Sequence, residues 1–95
     1  MKIIRQDRLI EFAQKHPNTR SSLTRWHRLM LEKDYSSFEE LGSVFPHADR
    51  VGNLTVFNIA GNNARLITYI YYDQQRIYVR DVLTHAEYDR GRWKE

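Results

Sequence analysis

The sequence predicts an α+β fold, with helices in the first half, an antiparallel sheet in the second and a short helix at the end. Two observations carry this. Apolar residues recur at spacings of three and four up to Pro46, and at alternate positions after it. Turn residues then divide the second half into short segments, at Gly52-Asn53, Gly61-Asn62-Asn63 and Asp73-Gln74-Gln75. The resulting order, β-α-α-(α)-β-β-β-α, places two to three N-terminal helices on one face of a twisted sheet.

Met1 to Arg5 reads as a short strand around Ile3 and Ile4. Asp7 stands where it can cap a helix running to His16, with Leu9, Ile10, Phe12 and Ala13 as its apolar stripe. His16-Pro17 ends that helix, because the residue before proline is driven out of the α region. Asn18 or Thr19 caps a second helix to about Lys33. It buries Leu23, Trp26, Leu29 and Met30 and turns Arg20, Ser21, Thr24, Arg25 and Arg28 outward. Ser36 or Ser37 caps a third, short helix through Phe45, with Glu39 and Glu40 in its first turns, where the helix dipole favours them. Ala48 to Val51 and Leu54 to Ala60 form a hairpin about a two-residue turn. Ala64 to Tyr72 is the longest strand, and Arg76 to Leu83 the last. Thr84-His85-Ala86-Glu87 matches a capping box, which opens the final helix.

At 95 residues the chain has room for a single domain, spanning residues 1–95. No apolar run is long enough to span a bilayer, so no membrane association is expected. Arg5, Asp7, Arg8 and Glu11 interrupt the stretch a signal peptide would need to be apolar. There is no cysteine, which excludes disulfides, thiolate nucleophiles and cysteine zinc sites and points to the cytoplasm. Fifteen basic residues oppose 12 acidic ones, a net charge of +3, and most of the basic residues are arginine, which grips phosphate bidentately and stacks on bases. Residues 1–30 carry seven basic and two acidic side chains and residues 31–49 one and five, so the positive faces belong to the first third and the last half.

Two arginines interrupt otherwise apolar strands, Arg65 in ARLITYIYY and Arg80 in RIYVRDVL. An unpaired buried charge is costly, so each must meet solvent, a partner, an anion or a cross-strand carboxylate. His85 and Tyr88 follow directly after Arg80's strand and lie three apart on the last helix. The other histidines sit at a helix end (His16), on a helix surface (His27) and in a loop (His47). None is spaced with carboxylates as metal ligands are, and no metal or cofactor is expected. No G-x-S-x-G or phosphate-loop motif occurs. An arginine, histidine and tyrosine set without metal suits RNA cleavage by the substrate's own 2′-hydroxyl, a reaction that needs proton transfers and charge stabilisation at phosphorus.

The stretch from Val56 to Lys94 resembles the HigB-type toxins of bacterial type II toxin–antitoxin systems, within the RelE-like superfamily. The resemblance rests on Phe57-Asn58-Ile59, Gly61-Asn62, Arg65-Leu66, Val79-Arg80 and Thr84-His85-x-x-Tyr88-Asp89, followed by Trp93-Lys94. It implies a RelE-like, microbial-RNase-type fold with one sheet face open. It also implies a ribosome-associated mRNA interferase that is neutralised by a HigA-like helix-turn-helix antitoxin and meets operator DNA only through that antitoxin. Carried over, Arg65 and Arg80 would hold the scissile phosphate, His85 would transfer protons, and Tyr88 would position a base or share the proton transfer. Asn62, Arg92, Trp93 and Lys94 would line the RNA path, and Arg20, Arg25 and Arg28 would face ribosomal RNA. The alternative is a non-catalytic basic module that binds RNA or a protein.

Overall fold

A computed structural model describes residues 1–94. Strand β1 (Lys2–Ile4) leads into helix α1 (Asp7–Lys15). A 3₁₀ turn at Pro17–Thr19 follows, then α2 (Arg20–Glu32) and α3 (Phe38–Val44). Four strands come next: β2 (Asp49–Val51), β3 (Leu54–Ile59), β4 (Ala64–Tyr71) and β5 (Arg76–Thr84). Helix α4 (His85–Asp89) and a last 3₁₀ turn at Arg92–Lys94 close the described chain.

The sheet has the order β1-β5-β4-β3-β2. The expected antiparallel ladder runs from β2 to β5, but β1 adds to the edge of β5 in parallel, with Ile3 opposite Ile77, and the sheet is therefore mixed. The core lies between the sheet and α1, α2 and α3. Leu9, Phe12, Leu23, Trp26, Met30 and Leu41 meet Phe57, Ile59, Leu66, Ile77 and Val79 there. Phe57 is its aromatic hub, edge-on to Trp26 at 5.5 Å and to Phe45 at 5.2 Å.

Several caps and stripes differ from the sequence expectation. Asp7 is the first residue of α1 rather than its cap, because Arg5 Nε and a terminal guanidinium nitrogen hold both its carboxylate oxygens at 3.0 Å. Ile10 is 60% exposed, since α1 rests only the Leu9, Phe12 and Ala13 edge on β5. Thr19 stands at the start of α2, but its hydroxyl donates back to the His16 carbonyl at 2.7 Å instead of capping. Ser37 does cap α3, accepting from the Glu40 N–H.

The ladder between β4 and β5 contains a bulge: Ile67 faces Asp81 and Thr68 faces Val79, leaving Arg80 as the extra residue. A bulge resets alternation. Val79 and Val82 pack on the helix side while Leu83 turns to the other face, and Asp81 is kept out of the core. A terminal guanidinium nitrogen of Arg8, on α1, donates to the Arg80 carbonyl and ties the bulge to the helix layer.

The face away from α1–α3 is not wholly open. Trp93 is 5% exposed and packs on Leu54, Val56 and Ile67, with Leu83 and Tyr88 beside it. This second small core anchors α4 to the sheet. The capping box sets where α4 starts, with the Thr84 hydroxyl accepting from the Glu87 N–H at 3.2 Å and the Glu87 carboxylate accepting from the Thr84 N–H at 2.9 Å. That backbone hydrogen bond holds the Glu87 carboxyl below its ordinary value of 4.5. A carboxyl whose pKa falls on folding stabilises the fold above its unfolded pKa, and the contribution disappears as pH falls through the lower folded pKa. Thr84→Ala should cost about 1 kcal/mol at neutral pH. Glu87→Gln should flatten the acid limb of the stability curve below about pH 4.5, which urea titrations across pH would measure.

Candidate functional site

Arg65 lies on β4, on the face opposite α1–α3, paired with Asn58 of β3 and Leu83 of β5. It is 9% exposed. One terminal guanidinium nitrogen donates to the Ala64 carbonyl at 3.1 Å and the other to the Asn62 side-chain oxygen. These two bonds use fewer donors than a guanidinium carries. The Tyr88 ring lies over the guanidinium, 5.3 Å from its carbon to the ring centroid, so the cation is sandwiched between strand and helix, with no carboxylate of the described residues in ion-pair contact with it.

A hollow of about 390 Å³ opens beside this pair. Arg65 and Tyr88 line it with Asn58 and Val56 of β3 and with Pro46, His47, Ala48 and Asp49 of the segment leading into β2. The β3–β4 turn, where Ala60 (φ 52°) and Gly61 (φ 66°) both adopt left-handed backbone, brings Asn62 back over Arg65. The His85 N–H donates to the Asn63 carbonyl at 3.1 Å, which fixes α4 to the same turn. Local hydrogen bonding thus presses Tyr88 onto Arg65.

The structure brings together fewer of the expected residues than the sequence proposed. Arg80 does not share the Arg65 hollow. It is half-buried beside the bulge, 3.6 Å from its neighbour Asp81, and lines a separate hollow with Glu87, Arg90, Arg92 and Trp93. Tyr88 and Trp93, stacked at 4.8 Å with planes 13° apart, form the partition between the two hollows. His85 lines neither hollow. Its side chain is 46% exposed, and Nε2 stands 3.1 Å from the Asp89 carboxylate, one helical turn on. That carboxylate orients the imidazole, on the same short helix as Tyr88.

Trp93, expected along the RNA path, has its ring packed into the second core, and its Nε1 donates to the Tyr88 carbonyl at 2.9 Å, so it supports Tyr88 from the sheet side. Lys94 lies over the same ring at 5.5 Å, and Arg92 is exposed beside it. Arg20, Arg25 and Arg28 are exposed on α2, which packs on the opposite face of the sheet from Arg65. Arg28 pairs at 3.9 Å with Glu32. His47, outside any predicted helix or strand, stands in the Arg65 hollow with Asn58 and Asp49. The signal for it was weak: Pro46 fixes where the chain leaves α3, but only the sheet register carries His47 to β3. Among the described residues no cluster of three His, Cys, Asp or Glu side chains is arranged to hold a metal ion, and no helix is long and apolar enough to cross a membrane.

Comparison with known proteins shows the family. The family model of the HigB toxins, described as the RelE-like toxic component of a toxin–antitoxin system, matches residues 19–91. A relative named mRNA interferase HigB, from Escherichia coli O6:H1 (strain CFT073), is 36% identical over 93 residues, 95% of this chain and 90% of its own length. The mRNA interferase toxin HigB of Escherichia coli K12 is 33% identical over 92 residues, covering 94% of this chain and 88% of its own. A Shigella flexneri mRNA interferase HigB matches to the same extent. With the match spanning the helical layer, the Arg65 hollow and α4 together, this chain belongs to the HigB family of RelE-like toxins of toxin–antitoxin systems.

Proposed function

We propose that this protein is an mRNA interferase, a metal-independent cytoplasmic endoribonuclease that cuts mRNA on the translating ribosome and is silenced by a HigA-like helix-turn-helix antitoxin. One observation carries the reading: a desolvated guanidinium, Arg65, at the edge of an open hollow, held by Asn62 and roofed by Tyr88 with donors to spare. A cation so placed is worth more toward a developing phosphorane than the same cation in water.

The reaction balances without a further reagent. The 2′-oxygen attacks the adjacent phosphorus, its proton passes to a base, the bond from phosphorus to the 5′-oxygen breaks, and an acid protonates the leaving 5′-oxygen. The products are a 2′,3′-cyclic phosphate and a 5′-hydroxyl. Arg65 neutralises the non-bridging oxygens. Tyr88, stacked on Trp93, fixes Arg65. His85, oriented by Asp89, moves the proton. Arg80, with Arg90 and Arg92, holds a neighbouring phosphate beyond the Tyr88–Trp93 partition.

End-mapping of mRNA after induction tests the reading. New 5′ ends should appear within translated frames and vanish when initiation is blocked; growth arrest without new ends would favour the binding module. The imidazole assignment has its own test. His85→Gln should lower the cleavage rate by about 10²-fold or more, and His47→Gln by less than about tenfold. The opposite order would transfer the proton-moving role to His47.

A further inference from the structure

A second cavity lies beside the Arg65 hollow, and the proposed cleavage chemistry leaves it unused. It has a volume of about 510 Å³, within the roughly 300–1,000 Å³ usual for small-molecule sites. It is bounded by α2, by the segment after α3 and by the β3–β4 turn. Its walls are aromatic, from Trp26, Phe45 and Phe57, and its polar groups are Ser22, Arg25, His47, Asn58 and Asn62. Trp26 is 2% exposed, and its indole N–H has no acceptor among the described residues. A buried donor left unsatisfied is costly, and a ligand acceptor would relieve it.

The cavity and the Arg65 hollow share a wall, made of Pro46, His47, Ala48 and Asn58. Asn62 also links them: its side-chain oxygen accepts from Arg65, while the residue itself lines the cavity, so its amide donors remain for a ligand. Among the described lining residues there is no carboxylate, and Arg25 stands at the exposed end. An aromatic cavity with amide donors and acceptors, a cation and no acid suits a nucleobase on a phosphate backbone better than it suits the apolar side chain of a protein partner.

We propose that this cavity seats one unstacked base of the RNA strand whose phosphodiester occupies the Arg65 hollow, and that it is where the protein reads sequence. The proposal rests on the nuclease reading for its placement of the strand, but binding tests it independently of cleavage. The probes are three-nucleotide RNAs carrying 2′-O-methyl groups, which cannot be cleaved, titrated into ¹⁵N-labelled protein. The Trp26 indole N–H and the Asn58 and Asn62 side-chain amides should shift together with Tyr88. Affinity should differ about tenfold between the best and worst base at one position. Ser22→Phe, which fills the cavity from the α2 side, should erase the Trp26 shift and the base preference while the Tyr88 shift persists. Arg25→Ala, an exposed change, should weaken binding about tenfold without altering the melting temperature. If Tyr88 shifts to saturation while Trp26 and the amides stay still, the base cavity is refuted and the nuclease reading stands. If RNA moves nothing, or if only an antitoxin moves Trp26, the cavity is not an RNA site. If Trp26 shifts with base preference and translated mRNA stays intact, the cavity stands and the nuclease reading falls.

Discussion

Arg65→Ala is expected to abolish growth arrest and to lower mRNA cleavage by about 10²–10³-fold, the range seen when one preorganised donor to a developing oxyanion is removed. The magnitude follows from where the guanidinium sits. At 9% exposure it works in a poorly solvated corner, where its charge is screened less than on the surface. Asn62, the Ala64 carbonyl and the Tyr88 ring fix its orientation before substrate arrives. Arg65→Lys should recover little, since an ammonium keeps the charge but loses the planar fork that grips phosphate and the stack beneath Tyr88. The substitution also removes a cation–π contact, so some stability goes with it. Circular dichroism and a melting curve, read beside single-turnover cleavage, separate the two effects. A folded Arg65→Ala variant with undiminished toxicity would remove Arg65 from the chemistry.

Phe57→Ala is the substitution with the largest expected effect on the fold itself. Phe57 is buried at the meeting point of β3, Trp26 of α2 and Phe45 beyond α3, so the cavity left behind has stiff aromatic walls that cannot collapse into it. A loss of about 3–5 kcal/mol is expected. Against the roughly 5–15 kcal/mol total of a small protein this is a large share, and the melting temperature should fall on the order of 20 °C. The site should loosen as well, because β3 also carries Asn58 into the Arg65 hollow on its opposite face. A fall of only a few degrees would mean that the helix layer is less closely coupled to the sheet than its packing implies.

The elements most legible in the sequence were those set by local chemistry. Ser37 and Thr84 cap the helices they precede, because a hydroxyl there accepts from the N–H three residues on whatever the rest of the chain does, and at Thr84 the Glu87 carboxylate completes the box. Gly52 and Gly61 mark turns because they supply left-handed backbone. What escaped depended on partners far along the chain. Asp7 is a good cap by type, yet Arg5 claims both its oxygens. The parallel pairing of β1 with β5 joins segments more than seventy residues apart, and no local signal records it. The bulge at Arg80 mattered most for the site. Strict alternation from Val79 would have turned Asp81 into the core, and resetting it placed Arg80 in a hollow of its own. Pattern reading finds which residues are unusual in their strands, as it did with Arg65 and Arg80. Which of them share a hollow is decided by register and by Trp93, whose burial draws α4 across the sheet.

Phosphodiester cleavage driven by the 2′-hydroxyl at Arg65 and Tyr88 leaves its record in the chemistry of the cut ends. Translating ribosomes should be incubated with the purified protein, and with its Arg65→Ala variant, and the new RNA termini then analysed. Where cleavage persists on naked RNA, the assay should be repeated in excess chelator. The expected result is a 5′-hydroxyl and a 2′,3′-cyclic phosphate, undiminished by chelator and lost in the variant. Termini bearing a 5′-phosphate, or cuts that continue with Arg65 removed, would contradict it.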